Sequence, residues 1–172
     1  MKDQERNIFA FIDSQNLNLG IKSLGWELDF RKFFIYLKDK YHIQKAYLFL
    51  GYIKKYEKLY RYLKSCGYNI VFKPVVTTKV EKVKGNIDAE LVLHSAKIEY
   101  KNYDKAIIVS GDGDFFCLLE DMVREGRLCK LIIPNPKSES VLLREFQEYK
   151  VLLSRDREYL EECGRRGALP RK

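Results

Sequence analysis

Short apolar runs recur along the chain as NIFAFID, AYLFLGY, NIVFKPVV, KAIIVSGD and LCKLIIPN. Each has strand length and is rich in β-branched or aromatic residues, the composition of a strand covered on both faces. Between them the pattern changes to helical spacing, roughly over Phe30 to Tyr41, Lys54 to Cys66, Ile87 to Tyr100 and Phe115 to Glu125. Phe33, Phe34 and Leu37, and again Leu91, His94, Ser95 and Ile98, are spaced to line one helix face packed on a sheet. Alternating strands and helices predict a parallel sheet with helices on both sides. Right-handed crossovers then make it doubly wound, a Rossmann-like α/β three-layer sandwich. Gly67 and Gly126 sit where C-terminal helix caps are needed. A helix near Ser138 to Phe146, a short segment around Tyr149 to Leu153 and a charged helix from Arg155 to Glu162 complete the expected body. Thr77 to Asn86 fits no period and reads as a loop at a substrate edge.

The length of 172 residues supports one domain, expected over residues 1–162, with 163–172 as a loose basic tail. The polar start runs straight into the first strand without the long apolar core of a leader or membrane span, so a cytoplasmic location and no membrane partner are expected. Cys66, Cys117, Cys129 and Cys163 are widely separated with no CxxC pair, which fits reduced thiols packed in the core. With two histidines in the whole chain, a zinc site has little to draw on. Trp26 is expected to pack the loop after the first helix.

Charge alters the picture. The net charge of +8 favours a polyanionic partner. Between Ile53 and Lys84 stand Lys54, Lys55, Lys58, Arg61, Lys64, Lys73, Lys79, Lys82 and Lys84, against only Glu57 and Glu81. Tyr52, Tyr56, Tyr60, Tyr62 and Tyr68 are interleaved with them. Cations can hold phosphates while aromatic rings stack on bases, which points to RNA; a solvated helix face with half-buried tyrosines is the plainer alternative.

Ligands of open α/β sheets bind beyond the carboxyl ends of the strands, where strand order reverses. The residues found there are acids: Asp13 ends the first run, Asp112 and Asp114 follow the fourth, and Asp88 opens the helix leading into it. If the first and fourth strands are neighbours, these carboxylates converge and repel. A hard divalent cation, Mg²⁺ or Mn²⁺, relieves such a cluster. Each acid taken singly could instead cap a helix or a turn. Other phosphate chemistries lack their signatures. There is no GxxxxGK loop, Gln15 occupies the place of the second aspartate of a haloacid-dehalogenase-type phosphatase, and GDGDFF lacks dinucleotide-fingerprint spacing.

FIDSQNLNLG resembles the Ile-Asp-x-x-Asn-Leu opening of NYN domains, with Asp13 and Asn16 in the matching places. KGNIDAELVLHSA is similar to their Lys-x-x-(Val/Ile)-Asp-x-x-Leu motif through Lys84 and Asp88, and VSGDGDF to their Ser-Gly-Asp-x-Asp-Phe motif through Ser110, Asp112 and Asp114. Order and spacing agree over about Ile8 to Ile133. The resemblance, which extends to LabA-like bacterial proteins, implies a PIN-like fold and a divalent-metal ribonuclease. It implies that Asp13, Asp88 and Asp112 hold metal directly or through water, with Asp114 as a fourth acid. Asn16 would orient a carboxylate or bind phosphate, and Ser110 would support the cluster or approach a phosphate. Lys84, Lys54, Lys55 and Lys58 are the cations expected to hold substrate. One departure is His94, six residues after Asp88, where many members carry another acid; a packed histidine is the expected reading. That departure leaves a second reading, a catalytically weak module that binds RNA or a protein. Edge strands and the C-terminal helix could also support a homodimer.

Overall fold

The computed structural model describes residues 6–73 and 87–162. Lys79, Lys82, Lys84, the expected loop Thr77 to Asn86 and the expected basic tail lie outside the described residues.

Strands β1 (Ile8–Asp13), β2 (Lys45–Gly51), β3 (Asn69–Lys73), β4 (Lys105–Val109), β5 (Leu128–Ile133) and β6 (Lys150–Leu152) form one sheet in the order β3-β2-β1-β4-β5-β6. Every neighbouring pair is parallel. Side chains alternate across the pleat, so each central strand serves two cores. In β1, Ala10 and Ile12 face one layer, with Leu17, Ile21, Phe33, Leu37, Leu63 and Leu160. Phe9 and Phe11 face the other, with Leu91, Leu118, Leu119, Met122 and Leu143. The first layer is built by α1 (Ser14–Ser23), α2 (Phe30–Tyr41), α3 (Glu57–Cys66) and α6 (Arg157–Leu160). The second is built by α4 (Ile87–Leu93), α5 (Phe116–Arg124) and a kinked 3₁₀ stretch, Val141–Tyr149. Fully burying one such side chain contributes roughly 1.5–3 kcal/mol, against about 0–1 for a surface ion pair. Two filled faces, not the surface charges, therefore hold the sheet rigid under the site.

The three-layer expectation is met, and so is the neighbouring of the first and fourth strands. Gly67 (φ 112°) and Gly126 (φ 63°) end helices in the left-handed region. At Gly67 the Phe34 ring lies so close that an added Cβ would meet it at 2.5 Å. Trp26 is buried, as expected of a packing residue.

Three expectations are corrected. The helix from Ile87 is not uniform to Tyr100: after Leu93 it widens into a π turn, His94–Ile98. Ser95 is buried, as its spacing predicted, whereas Ile98, expected on the same inward face, lies past the widened turn and is half exposed. Ser95 is held there by its hydroxyl on the Leu91 carbonyl at 2.8 Å and by Tyr103, whose hydroxyl donates to the Ser95 carbonyl at 2.7 Å. The segment after Tyr149 is a sixth strand, and the C-terminal helices are short 3₁₀ and α turns. The three described cysteines are free as expected, but Cys66 and Cys129 are only half-buried and Cys117 is exposed.

Candidate active site

The strand order reverses between β1 and β4, and the two chain ends leaving that point build the site together. Ile12 pairs with Val109, which sets Asp13 beside Ser110. Asp13 is also the N-cap of α1, and its Oδ1 accepts from the Asn16 N–H at 3.0 Å. The Ser110 hydroxyl donates to Asp13 Oδ2 at 3.2 Å and accepts from the Asp112 N–H at 3.1 Å. From the other side, Asn16 Oδ1 accepts from the Gly111 N–H at 2.8 Å. Asp112 caps the next turn, its Oδ1 accepting from the Asp114 N–H at 2.9 Å. These bonds tie the SGDGD turn to the end of β1 and the start of α1.

Asp88, on the first turn of α4, completes the cluster. Asp88, Asp112 and Asp114 each offer a carboxylate oxygen, and these oxygens lie within 4.8 Å of one another. Asp13 is buried behind them, outside that ligand group. Burial pushes the Asp13 carboxyl up from its ordinary pKa, against the pull of the Asn16 N–H and the Ser110 hydroxyl. Asp88 is pushed up to about 6, first by burial and then by the charges of Asp13, Asp112 and Asp114, with Lys73 opposing. Charges that disfavour one another to this extent describe a site suited to a cation. The Asn16 backbone N–H thus reaches the Asp13 carboxylate while its side-chain oxygen accepts from the Gly111 N–H, so one residue bridges the ends of β1 and β4.

The profile described as the NYN domain matches residues 7–159 of this chain. The chain belongs to the NYN family. Its six-stranded parallel sheet and flanking helices give this NYN domain the PIN-like nuclease fold, with the acidic cluster at the switch point. Among solved structures it is similar to a protein of unknown function from Vibrio parahaemolyticus RIMD 2210633. The TM-score is 0.73 at 22% identity, over 89% of this chain and 96% of the other, a likeness of fold. No curated protein matches the chain. Among the described residues, no helix is long and apolar enough to cross a membrane.

Asp13, Asp88 and Asp112 of this NYN domain line a cleft of about 480 Å³. Besides Asp13, Asn16, Asp88 and Asp112 it is lined by Gln15, Leu19, Gly20, Ser23, Ile87 and Ser138, none singled out from the sequence as a site residue. Gln15, Asn16, Leu19, Gly20 and Ser23 share one face of α1, a periodicity that SQNLNLGIKS does carry. Ser138 carries no such signal, because its loop is placed by residues distant in the chain. The Ser140 N–H donates to the Gly111 carbonyl at 3.0 Å, Asn135 Nδ2 donates to Ser23 Oγ at 2.8 Å, and Lys150 pairs with Glu139 in a nearly buried ion pair.

Lys54 and Lys55 lie on the β2–α3 connection and Lys58 on the first turn of α3, all three exposed and outside the cleft lining. His94 does not join the acids. It lies half-buried in the π turn, its ring 5.4 Å from that of Phe49 and 6.2 Å from that of Tyr47, and its Nδ1 has no hydrogen-bond partner among the described residues.

Proposed function

We propose that this NYN domain is a divalent-metal-dependent ribonuclease that hydrolyses RNA phosphodiester bonds at the Asp88–Asp112–Asp114 cluster. The observation that carries the reading is the convergence of three carboxylate oxygens within 4.8 Å beside a buried fourth acid. An all-oxygen donor set of that span fits Mg²⁺ or Mn²⁺, which bind oxygen at about 2.1 Å and commonly keep some water ligands. Bound there, such an ion would polarise a phosphoryl oxygen and acidify the attacking water.

The chain's own residues do the rest. Asp88, Asp112 and Asp114 are the direct ligands, and Asp13 acts from behind, through water or by its charge. Ser110 and Asn16 hold Asp13 and the Gly111 turn in register, so the ligands are positioned before substrate arrives. The surplus of exposed cations around Lys54, Lys55 and Lys58 draws a polyanion to an acidic site that would otherwise repel it.

A second reading is a catalytically weak RNA-binding or protein-binding module. His94 favours it, since the place where many relatives add an acid holds a ring packed on Tyr47 and Phe49. Cleavage of labelled single-stranded and hairpin RNAs with Mg²⁺, Mn²⁺ or EDTA separates the two. Metal-dependent cutting supports the ribonuclease; tight binding without cutting supports the module.

A further inference from the structure

Of the five tyrosines between Tyr52 and Tyr68, four are taken up by packing: Tyr60 and Tyr68 are buried, Tyr56 and Tyr62 half-buried. Tyr52 alone is exposed, at 42%. Its position comes from the sheet. Asp13 is the register partner of Phe49 on β2, so Tyr52 lies one strand over and three residues on. At ordinary strand spacing and rise that is roughly 11 Å from Asp13. On the opposite side of β2, Gly51 pairs with Lys73. Tyr52 thus stands where the acid end of the sheet meets the basic β2–α3 connection.

The ring is also immobilised. Its hydroxyl donates to Glu57 Oε1 at 2.8 Å, and it packs edge-on to Phe72 at 5.4 Å and against Tyr60 at 5.8 Å. Tyr60 in turn accepts from the Ile53 N–H at 2.9 Å, which fixes the chain at the strand end. A ring already held in place loses little freedom when something stacks on it. Around it, Lys54, Lys55, Lys58, Arg61 and Lys64 are exposed and make no ion pair among the described residues. Elsewhere Lys40, Arg124, Lys150 and Arg157 do find carboxylates.

Unneutralised cations beside a rigid, exposed aromatic face match a ligand that alternates phosphates with flat bases. An acidic peptide would use the cations but not the ring. A duplex would offer phosphates but hide its base faces. We propose that Tyr52 is a stacking platform for an unpaired base of single-stranded RNA, close to the phosphodiester presented to the acids. The choice of RNA rests on the ribonuclease reading; the platform itself is tested by binding alone.

The test measures fluorescence anisotropy of a labelled oligoadenylate, and of the same strand annealed to its complement, on the Asp112→Asn protein so that nothing is cut. Tyr52→Ala and Tyr52→Leu are expected to weaken single-strand binding about 5- to 150-fold, with Tyr52→Phe close to the parent. The salt slope should stay the same because no charge is lost, and duplex binding should barely change. Leu keeps apolar packing on Phe72, so a Leu variant that binds like the parent overturns the stacking role. A Phe variant as weak as Ala also overturns it, moving the effect to the Glu57 hydrogen bond. Equal losses on single strand and duplex, or no single-strand binding by the parent, overturn it as well. If Tyr52 governs binding while the chain with Asp112 intact never cuts RNA with metal, the ribonuclease reading fails and the platform stands.

Discussion

Ser110 Oγ lies 3.2 Å from Asp13 Oδ2, and the same oxygen accepts the Asp112 N–H, so one buried hydroxyl joins the ends of β1 and β4. Ser110→Ala removes a donor to one acid and leaves the amide of another without its acceptor. The expected cost is about 1–3 kcal/mol of stability, read as a lower urea midpoint at unchanged slope. Because the turn carrying Asp112 loosens, metal-dependent cleavage should fall about tenfold or more. A variant as stable and active as the parent would remove Ser110 from the support of the cluster.

Asp88 makes the metal-free domain pH-sensitive. Its carboxyl is held at about 6 in the fold against an ordinary 3.8, so the folded state keeps the proton that the unfolded chain gives up. The associated stability is present below about pH 4 and lost as pH rises through 6. Asp88 is partly exposed, and solvent screening reduces the effect to about 1 kcal/mol. Asp88→Asn should therefore raise the metal-free melting temperature at pH 7.5 and not at pH 4. Mn²⁺ binding needs the ionised form, so affinity should fall about tenfold per pH unit below 6 for this one proton. Calorimetric titration at pH 5 and pH 7 checks the second part, and equal affinities would contradict it.

His94→Asp tests whether the missing acid can be restored. The ring sits against Tyr47 and Phe49, with Glu99 nearby. An aspartate there would meet aromatic rings and another carboxylate, not the Asp112 turn. The expected result is a lower melting temperature with no gain in metal affinity; tighter metal binding would mean that the π turn can rewind toward the site.

Changing Lys54, Lys55 and Lys58 together to alanine should weaken RNA binding and flatten its salt dependence. If each lysine neutralises one phosphate of a single strand, the log–log slope should drop by about 2. A slope equal to the parent's would locate the RNA surface elsewhere.

Much of the fold was legible in the chain because it depends on local pattern. The apolar runs, the Phe30–Tyr41 helix and the acids at strand ends all rest on periodicity or on the residue after a strand. The π turn at His94–Ile98 was not legible, since nothing in HSAKI marks the bond that defines it, from the Glu99 N–H to the His94 carbonyl at 2.8 Å. Strand β6 is too short for any period, and it pairs with β5 in register from Leu131 and Lys150 onward. The different settings of the acids were equally hidden. Asp13 and Asp112 look alike in sequence, yet the fold buries one behind Ser110 and turns the other toward Asp88 and Asp114. Exposure likewise separated Tyr52 from four neighbouring tyrosines that composition could not distinguish.

Metal-dependent cleavage at the acidic cluster is tested by the rate of RNA cleavage as a function of Mn²⁺ concentration, measured side by side for the parent and Asp112→Asn. The parent should show a saturable rise, abolished by EDTA, and the variant a loss of at least about 100-fold while still folding and binding RNA. Cleavage that is equal in both proteins, or unaffected by EDTA, would contradict metal-dependent cleavage at that cluster.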